Sequence, residues 1–100
     1  MSQPVTAVLF THPMCVGCGE AIALLTRLGQ QNPRVQVRFL SLAGKEGKAA
    51  GERLGVHAVP TVVFQDNPAL RMEGVPEWEA LTDMVERLAG EAIGTETSET

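Results

Sequence analysis

The sequence predicts an α/β fold in which a four-stranded mixed sheet is flanked by helices, in the order β-α-β-α-β-β-α. Three observations carry that reading. Val5 to Phe10 is a short, almost wholly apolar run rich in β-branched residues, as a strand buried on both faces and central in a sheet should be. Behind it, runs with helical spacing alternate with short β-like runs. The chain has 100 residues, the length of a single domain, and its 44% apolar content suffices for one modest core.

Each element has its own signal. From about Cys15 to Leu28, Ala21, Ile22, Leu25 and Leu28 fall at helical spacing, and Gly29 is the predicted stop. Val35, Val37 and Phe39 alternate with Gln36 and Arg38, which suits an edge strand with one partly wet face. Lys45 to Leu54 reads as a short helix ended by Gly55. Thr61 to Gln65, the turn residues Asp66-Asn67-Pro68, and Leu70 to Glu73 read as an antiparallel hairpin. A last helix is predicted from Pro76 to Leu88, with Trp78, Leu81, Val85 and Leu88 as its buried stripe. Right-handed helical connections then put helices on both faces of the sheet, and Phe10, Phe39, Phe64 and Trp78 read as core. The domain is expected over residues 1–90. Residues 91–100 contain a single large apolar side chain, Ile93, and are predicted to be a disordered acidic tail.

The charge narrows the function classes. The net charge is −4, and because Glu91, Glu96 and Glu99 belong to the tail, residues 1–90 hold 8 basic and 9 acidic side chains. A nearly neutral body offers no clustered Lys and Arg for phosphates, so no nucleic-acid role is expected. No apolar run approaches the ~20 residues that cross a bilayer, and Met1 to Val5 lacks the basic region of a secretory signal. A cytoplasmic monomer without membrane contact is the expectation. In that compartment a chain with only two cysteines more naturally uses them for catalysis or metal binding than as a structural disulfide.

Those cysteines lie in Thr11-His12-Pro13-Met14-Cys15-Val16-Gly17-Cys18, directly after the first strand and opening the first helix. Two thiols three residues apart in a first helical turn can close a disulfide with little backbone movement. Cys15, at the helix end, meets unpaired N–H groups and the positive end of the helix dipole, both favouring a thiolate. Cys18, one turn inside, is predicted to be more buried and less acidic. The division of labour follows: Cys15 is the nucleophile toward a target disulfide and Cys18 resolves the mixed disulfide.

A second motif, Val59-Pro60-Thr61 running into Val62-Val63-Phe64, completes a pattern that resembles the thioredoxin-like family. The resemblance spans roughly Pro4 to Leu88, with a weaker match at Gly74. It is closest to compact, glutaredoxin-sized members, and Pro13-Met14-Cys15-Val16-x-Cys18 is similar to the small redoxins that serve ribonucleotide reductase. It implies a thiol-disulfide oxidoreductase of the protein-disulfide reductase type, with a cis-proline at Pro60 packed against the cysteine pair. The Val59 main chain would then face an extended substrate peptide, with Met14, Val16, Gly17, Thr61 and Gly74 around it. It further implies electron transport from a thioredoxin reductase-like or glutathione-linked donor to a disulfide-containing protein, with the Cys15–Cys18 disulfide in place of any cofactor.

The chain also departs from the family pattern. Thioredoxins have an aromatic residue before the first cysteine and Gly-Pro between the two, where this sequence has Met14 and Val16-Gly17. The buried acid six residues before the first cysteine corresponds to Leu9, so Cys18 needs another proton acceptor. The Gly-Gly-x-Asp turn of glutathione-using glutaredoxins reads Glu73-Gly74-Val75-Pro76 here. His12 is a candidate to modulate Cys15, by lending positive charge or moving a proton, set against the plainer reading of a loop histidine at a strand end. His57, in the loop before Pro60, is expected to face the same end of the sheet, with a catalytic role the lesser reading. Two other readings carry their own features: a metal-binding C-x-x-C module, with His12 and His57 as further ligands, and a non-enzymatic interaction domain of thioredoxin-like shape.

Overall fold

Seven elements follow one another in the predicted order: β1(Val5–Thr11), α1(Cys18–Gln31), β2(Val35–Ser41), α2(Lys45–Leu54), β3(Thr61–Phe64), β4(Arg71–Glu73) and α3(Trp78–Thr97). The computed structural model describes residues 4–97, and side chains through residue 90. The strands form one mixed sheet in the order β2-β1-β3-β4. β1 runs parallel to β2 and antiparallel to β3, and β4 is antiparallel to β3. The apolar run of β1 thus lies inside the sheet, and the alternating run of β2 forms an edge, as their patterns predict.

Side-chain alternation along β1 divides the core in two. Val5, Ala7 and Leu9 join Val62 and Phe64 against α1 and α3, where Leu25, Leu28, Leu81 and Val85 complete the larger cluster. Phe10 and Val63 point to the opposite face and pack with Leu54 at the end of α2 and with Val56. Each large side chain removed from water here contributes about 1.5–3 kcal/mol to folding. On the α2 face, a cavity of about 340 Å³ opens over Val8, Phe10 and Leu40. The Arg38–Glu46 and Arg53–Asp66 ion pairs stand at its rim.

Several boundaries differ from the sequence expectation, each for a local reason. α1 begins at Cys18, not near Cys15, because the residues before it are taken up in a hydrogen-bonded turn. Gly29 does not stop α1; it lies inside the helix, where an added Cβ would sit 3.3 Å from a Val37 methyl. The end comes at Asn32, whose main-chain N–H and side-chain Nδ2 both donate to the Leu28 carbonyl at 3.0 Å, with Pro33 next. The buried stripe of α1 is Cys18, Ala21, Leu25 and Leu28, and Ile22 falls at its exposed margin. Phe39 is 44% exposed, since an edge strand shields a residue from one side only. Trp78 is half-buried, with the Arg27 guanidinium 4.1 Å from its ring centroid.

β3 ends at Phe64, where Gln65 and Asp66 turn the chain with φ of 58° and 54°. Pro76 lies before α3 and not in its first turn; the first helical bond runs from the Leu81 N–H to the Glu77 carbonyl at 3.0 Å. The α3 backbone continues past the predicted end at Leu88 to Thr97. The expected tail at 91–100 falls on residues whose side chains, and for 98–100 also the backbone, lie outside the described residues.

α2 owes its placement to Gly47 and Gly51, four residues apart on its buried side. A Cβ at Gly47 would overlap the Ser41 carbonyl, and one at Gly51 would lie 2.7 Å from a Leu42 methyl. Their absence lets the helix lie against the end of β2. Arg71 ties its other end to the hairpin, donating to the carbonyls of Leu54 at 2.6 Å and Gly55 at 3.0 Å. These terminal carbonyls have no partner within the helix, and a cation suits the negative end of its dipole.

Candidate active site

β1 and β2 end on the side of the sheet where β3 begins and β4 finishes, so the loops after Thr11, before Thr61 and after Glu73 share one rim. The first loop is a tight turn. The Cys15 N–H donates to the His12 carbonyl at 2.9 Å, and the Met14 N–H donates to His12 Nδ1 at 3.1 Å. Cys15 and Cys18 are joined as a disulfide with their Cα atoms 5.4 Å apart. Cys18, the first residue of α1, is 4% exposed, whereas Cys15 is only half-buried. Gly17 caps the helix without a side-chain acceptor, so no side chain competes for the N–H groups of its first turn. Cys15 itself precedes the helix, which corrects the sequence expectation. Its sulfur reaches the positive end of α1 through the bond to Cys18.

The second loop presents Val59 and Pro60, joined by a cis peptide bond. Pro60 is buried, and the Thr61 hydroxyl donates to the Ala58 carbonyl at 2.7 Å. The third loop is tied to it where the Gly74 N–H donates to the Pro60 carbonyl at 2.8 Å. Gly74 holds φ at 87°, a conformation that favours glycine. All three segments meet at Gly17. A Cβ there would lie 2.8 Å from Val75 Cγ2 and 3.8 Å from Pro60 Cδ.

Several solved structures share the fold that carries these loops. The chain is similar to a mutant thioredoxin from Halobacterium salinarum, with a TM-score of 0.75 and 22% identity over 87% of this chain and 76% of that one. It is similar to thioredoxin O2 from Arabidopsis thaliana in its oxidised state, with a TM-score of 0.71 and 21% identity over 87% and 76% of the two chains. For thioredoxin f2 from Chlamydomonas reinhardtii the values are 0.70 and 20%, over 87% and 81%. The fold is that of the thioredoxins. No protein-family model and no curated sequence matches the chain.

Within this thioredoxin fold, the structure brings Gly17, Pro60, Gly74 and the disulfide to one place, and Val59 and Thr61 flank the proline. Met14, at 83% exposed, the fully exposed Val16 and Val75, at 38%, give the site an apolar surround. Val75 joins them from outside the motifs that the sequence marks. Its only signal was its place between Gly74 and Pro76, and its contact with Gly17 depends on tertiary structure. His57 is exposed in the loop before Pro60. Leu9 is fully buried in the apolar core, and the only buried polar side chain among the described residues is that of Thr61. No group of three or more His, Cys, Asp or Glu among the described residues could hold a metal ion, and none of their helices is long and apolar enough to cross a membrane. The Cys15–Cys18 disulfide itself brings within reach a reversible two-electron exchange with a dithiol.

Proposed function

We propose that this protein is a thiol-disulfide oxidoreductase that reduces disulfides in protein substrates, working in the cytoplasm as a monomer. One observation carries the reading: a disulfide at the head of α1, open to solvent on its Cys15 side and closed on its Cys18 side, beside the Val59–Pro60 loop. In the reduced form, the Cys15 thiolate attacks one sulfur of the target disulfide. A mixed disulfide forms, and the other target sulfur leaves as a thiolate. Cys18 then loses its proton and attacks Cys15 Sγ. The second target thiolate departs and the Cys15–Cys18 disulfide is restored, two electrons having passed to the substrate.

The substrate backbone pairs in extended form with the Val59 main chain, while Met14, Val16 and Val75 cover its apolar side chains. With Leu9 in place of an acid, the proton of Cys18 passes to water. A thioredoxin reductase-like or glutathione-linked donor supplies the two electrons that reopen the disulfide.

The test is reduction of a protein disulfide by the wild type, Cys15→Ser and Cys18→Ser. Cys15→Ser is expected to fall to background, and Cys18→Ser to accumulate a covalent adduct with the substrate, visible as a summed mass. Full activity in Cys15→Ser would overturn the assignment.

A further inference from the structure

The hydrogen-bond pattern of the turn that carries Cys15 recurs among the described residues, at Ser41, where the Ala43 N–H donates to Ser41 Oγ at 3.1 Å and the Gly44 N–H to the Ser41 carbonyl at 3.0 Å, and with a proline after the acceptor at Asn67. In Asn67-Pro68-Ala69-Leu70, the Ala69 N–H donates to Asn67 Oδ1 at 2.9 Å and the Leu70 N–H to the Asn67 carbonyl at 2.9 Å. In His12-Pro13-Met14-Cys15, the Met14 N–H donates to His12 Nδ1 at 3.1 Å and the Cys15 N–H to the His12 carbonyl at 2.9 Å. The two patterns match bond for bond. Nδ1 of histidine and Oδ1 of asparagine are both attached to Cγ, so each reaches the N–H two residues on. Proline follows both and fixes φ where the turn needs it. His12 thus occupies the place that Asn67 takes in the proline-containing turn and Ser41 in the third.

We infer that His12 is a positioning residue that favours the closed Cys15–Cys18 disulfide by accepting a hydrogen bond, not by supplying positive charge. This rests on the redox reading above. The bond uses the lone pair of Nδ1, so what the turn asks of residue 12 is an acceptor at that position and not a charge. Of the three residues after His12, Pro13 has no N–H, that of Met14 is held by the imidazole and that of Cys15 by the His12 carbonyl. Residues 12–15 are therefore ordered before the sulfurs meet, and closing the ring costs less conformational freedom. Without the acceptor, a turn that must be ordered at the moment of closure makes the disulfide easier to open.

The experiment equilibrates wild type, His12→Leu, His12→Lys and His12→Asn with reduced and oxidised dithiothreitol and counts free thiols. Losing one solvent-accessible hydrogen bond predicts a fall of about threefold to tenfold in the equilibrium constant for disulfide closure in His12→Leu. At 29.6 mV per tenfold, that is a shift of about 14–30 mV toward a more oxidising pair. His12→Lys, with charge but no acceptor, is expected to fall alongside His12→Leu. His12→Asn, with an acceptor but no charge, is expected to stay within about twofold of wild type.

A lysine variant that matches wild type, an asparagine variant that falls with leucine, or no change in any of them overturns the inference. Amide hydrogen exchange at Met14 in the oxidised protein gives a second readout that needs no activity. Protection there must be lost in His12→Leu and His12→Lys and retained in His12→Asn. If the wild type proves inactive toward every protein disulfide, the redox reading falls while these two measurements still decide the role of His12.

Discussion

Replacing Gly17 with alanine puts a methyl group 2.8 Å from Val75 Cγ2, where carbon atoms in contact settle at about 3.5–4.0 Å. About 1 Å must be found. The backbone at Gly17, with φ −88° and ψ −1°, suits any residue, so the alanine also brings about 0.4–1 kcal/mol through the reduced freedom of the unfolded chain. Against this stands overpacking, about 1–3 kcal/mol in general and near the low end here because Val75 is 38% exposed and can turn outward. The net expectation for Gly17→Ala is about 1 kcal/mol of destabilisation, or roughly 4–8 °C in Tm. Val75→Ala alone removes two partly buried methyl groups, at about 1 kcal/mol. In the double variant the clashing methyl is gone, and Gly17→Ala retains only its favourable contribution. A double-mutant cycle by urea denaturation should therefore give a coupling of about 1–2 kcal/mol, with the double variant no less stable than Val75→Ala. Strictly additive losses would show that Gly17 and Val75 do not touch, and the packing of the three loops as described would be wrong.

Other substitutions test other parts of the frame. Gly47→Ala drives a methyl group into the backbone of Ser41, which has no side-chain freedom to yield, so a loss of more than about 3 kcal/mol or failure to fold is expected from urea titration or expression yield. Arg71→Met removes the hydrogen bonds to Pro68, Leu54 and Gly55 from a side chain that is 22% exposed, and the urea midpoint should report about 2–4 kcal/mol. Hydrogen bonds from Arg53 hold the Asp66 carboxyl below the usual carboxylate range. A lowered native value means that the contribution is present above about pH 4 and is lost as pH falls below it. Wild type should accordingly lose more stability than Asp66→Asn between pH 6 and pH 3, and equal losses would remove the pair from the account.

What the sequence made legible was whatever short-range chemistry decides. The run from Val5 to Phe10 could only be an inner strand, Gly55 had to end α2, and Asp66-Asn67-Pro68 had to turn the hairpin. The cysteine pair and Val59-Pro60 likewise stood out, because their residue types are rare and their spacing is fixed. Decisions made by competition between distant segments were not legible. Gly29 looks like a helix stop until Val37 is seen to require a small neighbour there. The head of α1 lies three residues beyond where the sequence puts it, because a histidine suggests a charge and a proton carrier before it suggests an acceptor for the main chain. Phe39 looks like core because a two-residue period shows which face a side chain takes, not how much of it an edge strand leaves open. Val75 could not be chosen from sequence at all, since only its contact with Gly17 marks it out.

The meeting of three loops at Gly17 also says when the reactive centre can come into being. Residues 15–18, 59–60 and 74–75 are far apart along the chain, and only the completed order β2-β1-β3-β4 brings them side by side. Until that order is complete, the neighbours that the folded chain gathers around Gly17 are not in place. The cysteines thereby keep time for folding. In a refolding experiment, the burial of Cys18 against alkylation should appear together with the native core and not ahead of it, so the chain acquires its chemistry only once it can control it.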